Sequence, residues 1–307
     1  MTNTNMFDEY IIKSKETTHN EQDQMIESSS FEHYTVLNTF DNNKINQSVE
    51  TENFEFATAA ALLELSNHSR KISTGSLMLD NILNGGIESK SITEFYGVFA
   101  SGKTQLCLQL AVNAVIMDGE ISGYSIYIDT EGSFRPERVV DICHGMNIDH
   151  NQVLNHILVA RAHTTDIQMQ LINEVSNMAK QKTINLVIID SLTSNFRSEF
   201  IGKSSLMERQ QKLNRHMQEL LQLSEKLSIP LAITNQVLAS VDLFNSEIIP
   251  VGGNIVAHGS THRIHLSKIK SKSTLRKAEL ISSPSLPNSE ASFQIVKRGI
   301  IDLDQIY

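Results

Sequence analysis

Only two cysteines, Cys107 and Cys143, occur in the 307 residues. With no C-x-x-C spacing, the chain has neither a cysteine metal site nor a dithiol redox motif, and both thiols are expected to be buried in a reducing compartment. No apolar run reaches the roughly 20 residues that span a bilayer. The opening Met-Thr-Asn-Thr-Asn-Met-Phe-Asp-Glu is too polar for a secretory signal. A soluble intracellular protein without a membrane partner is expected, cytoplasmic and nucleoid-associated in a prokaryote or nuclear in a eukaryote. Internal repeats are missing too.

Net charge is small over most of the chain. The formal net charge is −9, but residues 1 to 55 hold 11 acidic residues against 3 lysines, leaving 24 acidic and 23 basic residues beyond them. The acidity thus belongs to the N-terminal segment, and the nearly neutral remainder can still gather Lys and Arg on one face to meet nucleic acid. Residues 1 to 52 are rich in Asn, Gln, Ser, Thr and Glu and show no period of 2 or 3.6 residues. Such a stretch buries too little to offset its chain entropy and is expected to be a disordered or weakly helical acidic tail.

From residue 53 the composition changes. Phe56-Ala57-Thr58-Ala59-Ala60-Ala61-Leu62-Leu63 is apolar and helix-prone within a linker over residues 53 to 70, and a core is expected over 71 to 307. A short helix holding Leu77, Leu79, Ile82 and Leu83 ends at Asn84-Gly85-Gly86. Strands are then expected at 92–96, 124–129, 157–160, 184–190 and 231–234. They alternate with helices from 103, over 136–145, over 166–180 and over 206–227, the last with Leu213, Met217, Leu220 and Leu227 on one face. This alternation predicts an α/β fold with a mostly parallel sheet and helices on both faces. Short strands near 262–266, 277–281 and 291–297 are expected to extend the sheet as antiparallel C-terminal edges.

What is present is a phosphate-loop pattern, G-x-x-x-x-G-K-[ST], in Gly97-Val98-Phe99-Ala100-Ser101-Gly102-Lys103-Thr104, between an apolar strand and an apolar-periodic helix. A tight loop entering a helix N-terminus turns several backbone N–H groups toward one point, where the helix dipole also favours negative charge. The glycines at its two ends let the backbone approach phosphates. Lys103 is placed to reach the β- and γ-phosphates of ATP, and Thr104 to complete the shell of a bridging Mg²⁺.

Three further strand ends carry polar groups to the edge where ligands bind open α/β sheets. Leu186-Val187-Ile188-Ile189-Asp190 delivers a carboxylate suited to supporting the Mg²⁺, although an acid that merely caps a strand looks the same. Ile128-Asp129-Thr130-Glu131 delivers two: Glu131 is placed to orient or deprotonate an attacking water or to start the next helix, and Asp129 to tie down the turn. Asn235-Gln236 puts a neutral amide at the same edge, before a loop running from 237 to 253.

Taken together these residues resemble the RecA-type recombinases, in particular the branch of archaeal RadA and the eukaryotic strand-exchange proteins. The resemblance runs from about Phe56 to Ile301. It rests on Ile72-Ser73-Thr74-Gly75-Ser76, Ile92-Thr93-Glu94-Phe95, the phosphate loop followed by Gln105, Ile128-Asp129-Thr130-Glu131, and Phe134-Arg135-Pro136-Glu137-Arg138. Further matches are Val159-Ala160-Arg161-Ala162, Asp190-Ser191-Leu192, Glu208-Arg209-Gln210-Gln211-Lys212-Leu213, Thr234-Asn235-Gln236-Val237 and Gly252-Gly253-Asn254-Ile255-Val256-Ala257-His258. It implies a RecA-like, DNA-dependent ATPase that uses ATP and Mg²⁺, assembles as a filament or ring on single-stranded DNA, pairs it with a homologous duplex and works with other recombination proteins. By position it implies a catalytic set of Glu131, Lys103 and Gln236. Nucleotide contacts would come from the phosphate loop, Gln105 and an Arg138 near adenine, metal contacts from Thr104 and Asp190. It further implies that Gln236 couples the γ-phosphate to the DNA loop and that Phe56 and Ala59 form an F-x-x-A oligomerisation motif, a pattern that in isolation reads as an ordinary helix start.

Two segments resemble the family's DNA-binding loops. Arg197, Lys203 and Arg209 in the first would contact phosphates; Val241 and Phe244 in the second would wedge between bases or stack on them. A third basic stretch, Arg263, Lys268, Lys270, Lys272, Arg276 and Lys277, is either a solvated strand pair or a duplex-contacting ridge. The chain also departs from the family. Residues 1 to 52 lack the Gly-hairpin pattern of its N-terminal duplex-binding domain, the second DNA loop carries Asp242 and Glu247 without Lys or Arg, and Ser282 stands where the segment capping a neighbour's ATP commonly has Asp. These departures favour an alternative, a paralogue that binds ATP and a partner recombinase without exchanging strands itself. A regulatory ATPase of the same fold is a third reading, expected to lack both Arg-containing DNA loops.

Overall fold

The computed structural model describes residues 32–34, 54–67, 69–117, 119–239, 248–269 and 273–303. Val241 and Phe244, Lys270 and Lys272, and the acidic tail apart from residues 32–34 lie outside the described residues. The chain divides into two compact units, Met1–Ser69 and Arg70–Tyr307. In the first, β1 (Glu32–Tyr34) pairs antiparallel with β2 (Phe54–Phe56), and α1 (Ala59–Asn67) follows. Phe56 therefore ends a strand instead of opening the helix. The helix starts three residues later, at Ala59, preceded by Thr58, whose carbonyl accepts from the Leu62 amide at 3.1 Å.

In the second unit, β3 (Lys71–Ile72), α2 (Leu77–Ile82) and β4 (Ile87–Glu88) lead to the central strand β5 (Ile92–Gly97) and to α3 (Lys103–Val115). The hairpin β6 (Ile116–Met117) and β7 (Glu120–Ile121) precedes β8 (Tyr124–Asp129), α4 (Pro136–Met146), α5 (His150–His156) and β9 (Ile157–Arg161). Next come α6 (Thr165–Met178), β10 (Ile184–Asp190), α7 (Ser194–Glu199), α8 (Leu206–Leu227) and β11 (Leu231–Ala239). The unit ends with β12 (Ile248–Pro250), α9 (Gly253–Gly259), β13 (His262–Lys268), β14 (Leu275–Ser282), β15 (Ser289–Val296) and β16 (Gly299–Ile301).

The main sheet has the order β16-β15-β14-β13-β5-β11-β10-β8-β9, with β12 paired to β11. Strands β13, β5, β11, β10, β8 and β9 run parallel to their neighbours in that series, while β14, β15 and β16 are antiparallel. The expected α/β class is observed, with one correction. The first C-terminal strand, β13, joins the parallel part beside β5, because α9 gives the chain a helical crossover before it; only the strands after it turn back as hairpins. Sequence periodicity missed α5, α7 and α9, each seven residues or fewer and so too short to show a helical repeat.

The apolar run of β10 explains the layering. Successive side chains of a strand point to opposite faces, and Leu186 and Ile188 enter one core with α3, α4 and Phe95, while Val187 and Ile189 enter a second with α6 and α8. Burial on both faces is what a parallel strand covered by helices on both sides requires. Cys107 and Cys143 are free and buried, and burial pushes the Cys143 thiol up to about 11. No helix among the described residues is long and apolar enough to cross a membrane.

Candidate functional site

The carboxyl ends of β5, β11, β10 and β8 lie side by side, and the polar residues expected at the site sit there. The loop after β5 is fixed by backbone fit. A Cβ on Gly97 would stand 2.2 Å from the Leu266 carbonyl oxygen of β13, so only glycine lets these strands lie together. Gly102, at φ +109°, is the N-cap of α3 and provides no side-chain cap. The first-turn amides of this 13-residue helix therefore have no side-chain acceptor from the cap residue, the arrangement that favours an anion. Val98, Phe99 and Ala100 form the exposed rim, with Phe99 93% exposed. Ser101 is buried and its hydroxyl has no hydrogen-bond partner among the described residues.

Lys103 donates to the Gly97 and Val98 carbonyls at 2.9 and 3.1 Å. Burial lowers its ammonium below the usual lysine range, opposed by the nearby charges of Asp190 and Glu131. The amine thus rests on two neutral backbone acceptors while facing two carboxylates, free to exchange those carbonyls for a stronger anion. Thr104 follows in the first turn, half-buried. Gln105 accepts from Arg138 Nε at 2.6 Å, and Arg138 also donates to the Val296 carbonyl at 2.7 Å and to that of Lys297. Arg138 therefore bridges α3, the first turn of α4 and the end of β15.

Asp190, buried at the end of β10, accepts from Tyr127 Oη at 2.7 Å, Thr234 Oγ1 at 2.5 Å and Ser133 Oγ at 3.2 Å. Three hydroxyls converge on one carboxylate, so it is held in place without a cationic partner among the described residues. Next to it, the Glu131 carboxylate accepts on Oε1 from Ser191 Oγ at 2.6 Å and from Gln236 Nε2 at 2.8 Å, and Arg197 donates to Gln236 Oε1 at 2.9 Å. Asp129 ties down the turn: it accepts from the amides of Glu131, Gly132, Ser133 and Phe134 and pairs with Arg161 at 2.9 Å. It builds the turn that carries Glu131.

Lys203 and Arg209 do not join this cluster. Lys203 is exposed before α8, and Arg209 is half-buried in the first turn of α8. The stretch from Arg197 to Arg209 is a loop only at its centre, since Arg197 lies in α7. Its near end is anchored where Glu199 accepts from the Thr165 amide at 2.7 Å, at the start of α6. Phe56 is exposed in β2, and Ala59 is exposed in the first turn of α1. Ser282 is exposed at the end of β14. The turn after it is tied by Ser283, whose hydroxyl accepts from the Ser285 and Leu286 amides.

Two of the cations in the third basic stretch are paired with carboxylates. Arg263 pairs with the fully buried Glu94 at 2.6 Å. Lys277 lies 3.0 Å from Glu279 and 2.6 Å from Glu290. Glu94 also accepts from Asn235 Nδ2 at 2.8 Å; Asn235 in turn donates to the Val251 carbonyl and accepts from Thr193 Oγ1. This buried network was not singled out from sequence, although a charged residue inside an apolar strand, Glu94 within Ile92-Thr93-Glu94-Phe95, was its visible signal. Ser191, present in the sequence only as part of the Asp190-Ser191-Leu192 match, takes its role from its bond to Glu131.

A strand-loop-helix anion cradle facing three polar ends of parallel neighbouring strands, with antiparallel strands closing the sheet, defines a RecA-type core. The family model for Rad51 matches residues 67–303, most of the chain, and the chain belongs to the Rad51 family of RecA-type recombinases. Members of this family are ATP hydrolases, typically use ATP with Mg²⁺, generally bind single- and double-stranded DNA and oligomerise.

Proposed function

We propose that this chain is a DNA-dependent ATPase that assembles on single-stranded DNA and promotes pairing and strand exchange with a homologous duplex. The observation that carries this reading is the convergence of Lys103, Asp190, Glu131 and Gln236 at one sheet edge, with Gln236 bonded to both Glu131 and Arg197. The unpartnered Ser101 hydroxyl and the α3 amides suit the phosphates of ATP, and Thr104 and Asp190 suit Mg²⁺. Bound there, Mg²⁺ supplies neutralisation of the charge that builds on the phosphate oxygens.

Each residue has a definable part. Lys103 leaves the Gly97 and Val98 carbonyls for the terminal phosphate. Glu131, with its position set by the Asp129 turn and by Ser191, accepts a proton from the attacking water. Gln236 has one donor group to offer at this edge, and it sits at the root of the segment expected to meet DNA. Arg138 braces the first turn of α4 against α3 and the end of β15, beside the phosphate loop. Assembly through Phe56 and Ala59 fits their exposure on the strand and helix that precede the core.

The ion pairing of Arg263 and Lys277 favours one rival, a mediator that binds ATP and a partner recombinase without exchanging strands. A strand-exchange assay with ATP and homologous DNA separates them. Joint-molecule product from the wild type, abolished together with ATP hydrolysis in Lys103→Ala, is the expected result. Hydrolysis without product would identify the mediator, and unchanged turnover in Lys103→Ala would refute the site.

A further inference from the structure

Gln236 is spent twice. Its amide nitrogen donates to Glu131 Oε1 at 2.8 Å, and its amide oxygen accepts from Arg197 Nη1 at 2.9 Å. An amide has a fixed orientation of donor and acceptor, so the two bonds reinforce each other: with Arg197 on the oxygen, the nitrogen is turned to Glu131. Glu131 Oε1 receives a second donor from Ser191 at 2.6 Å. Two of the carboxylate's acceptor sites are thus taken and its orientation is fixed, and a Gln236 nitrogen already committed has less to offer a phosphate.

We propose that Arg197 is a positioning residue that holds Gln236 on Glu131 while no nucleic acid is bound, and that a strand's backbone phosphate releases the hold by drawing the arginine away. The inference rests on the reading of Glu131 as the group that activates water, and it adds a reason for turnover to depend on DNA. Three features of the structure support it. Arg197 is exposed and has no carboxylate partner among the described residues, so a phosphate competes for it against only a neutral amide; a guanidinium binds phosphate far better than it binds a carbonyl. Its helix is fixed at one end by the Glu199 bond to α6, which leaves the side chain as the part that moves. The neighbouring residue Asn235 is locked into the buried Glu94 network, so β11 stays in place and only the Gln236 side chain responds.

The test compares the full-length wild type with Arg197→Ala and Arg197→Lys, using two readouts. The first is ATP turnover with and without an oligo(dT) strand. Arg197→Ala is expected to raise DNA-free turnover about fivefold, the factor that one net hydrogen bond represents, and to shrink the stimulation by oligo(dT); Arg197→Lys, which keeps a cationic donor, stays near wild type without DNA. A residue that only contacts DNA would leave DNA-free turnover unchanged, and that result would overturn the proposal. The second is the Gln236 side-chain amide signal in solid-state NMR, which tolerates oligomers and is assigned by its loss in Gln236→Glu. It should shift in Arg197→Ala, and in wild type on adding oligo(dT), in the same direction. An unmoved signal would overturn the hold whatever the turnover. A shifted signal in a wild type that hydrolyses no ATP would support the hold and count against the ATPase reading.

Discussion

Replacing Arg263 by methionine should cost the protein a large part of its stability. Glu94 has no exposed side-chain surface and Arg263 little, and the two meet at 2.6 Å between adjacent strands of the sheet. Removing one partner of a buried pair strands the other charge, which costs about 3 to 5 kcal/mol. A domain of this kind has only about 5 to 15 kcal/mol in total. Asn235 still donates to Glu94, but a single neutral amide does not replace a guanidinium. Urea denaturation of the full chain at neutral pH measures the loss. Arg263→Met combined with Glu94→Gln should recover much of it, because glutamine keeps an acceptor for Asn235 without a charge to bury. A loss below about 1 kcal/mol, the range of exposed pairs, would refute the reasoning. If Arg263 were instead a duplex contact, stability would be unchanged and the salt dependence of duplex binding would flatten.

Two further outcomes follow from buried groups. His216 is fully buried against Phe196, with Gln168 at its Nε2 and no partner for Nδ1 among the described residues, and burial lowers it to about 4. The unfolded chain takes up this proton below about pH 6.5 and the native state only near 4. This part of the stability is therefore intact above pH 6.5 and lost as pH falls toward 4, by up to about 3 kcal/mol. Denaturation of wild type and His216→Gln at pH 7 and 5 should show a smaller pH effect in the variant, and equal slopes would assign the dependence elsewhere. Asp129→Ala removes the acceptor for four backbone amides and Arg161. It should lower stability by about 2 to 3 kcal/mol and reduce ATP turnover through a loosened Glu131; full turnover would show that the turn does not position that residue.

Much of this was legible in the chain itself. Long elements with a strong period, such as β10 and α8, showed where they began and ended because burial on both faces or on one stripe is written directly into residue order. The loop after β5 was legible because its glycines and the Lys-Thr pair stand at fixed spacing between an apolar strand and an apolar-periodic helix, and the strand-end acids and amide were placed at one edge by the alternation of strands and helices. Partnerships were not legible. Arg263 read as one of several cations along a basic stretch because its partner lies 169 residues away, and pairing across a parallel sheet leaves no local trace. Asp129 and Glu131 were told apart by position at the strand end, but their partners, four backbone amides for one and Ser191 with Gln236 for the other, emerged only from the folded turn.

The sequence by itself determined the α/β class, the anion-binding loop and the family, since each depends on local pattern and on residue types at fixed spacing. Only the tertiary structure decided that β13 runs parallel to β5, that Glu94 and Arg263 neutralise each other inside the sheet, and that Arg197 reaches Glu131 through Gln236. Those outcomes depend on which distant segments share a low-dielectric interior or a hydrogen-bond distance, and that is settled by packing.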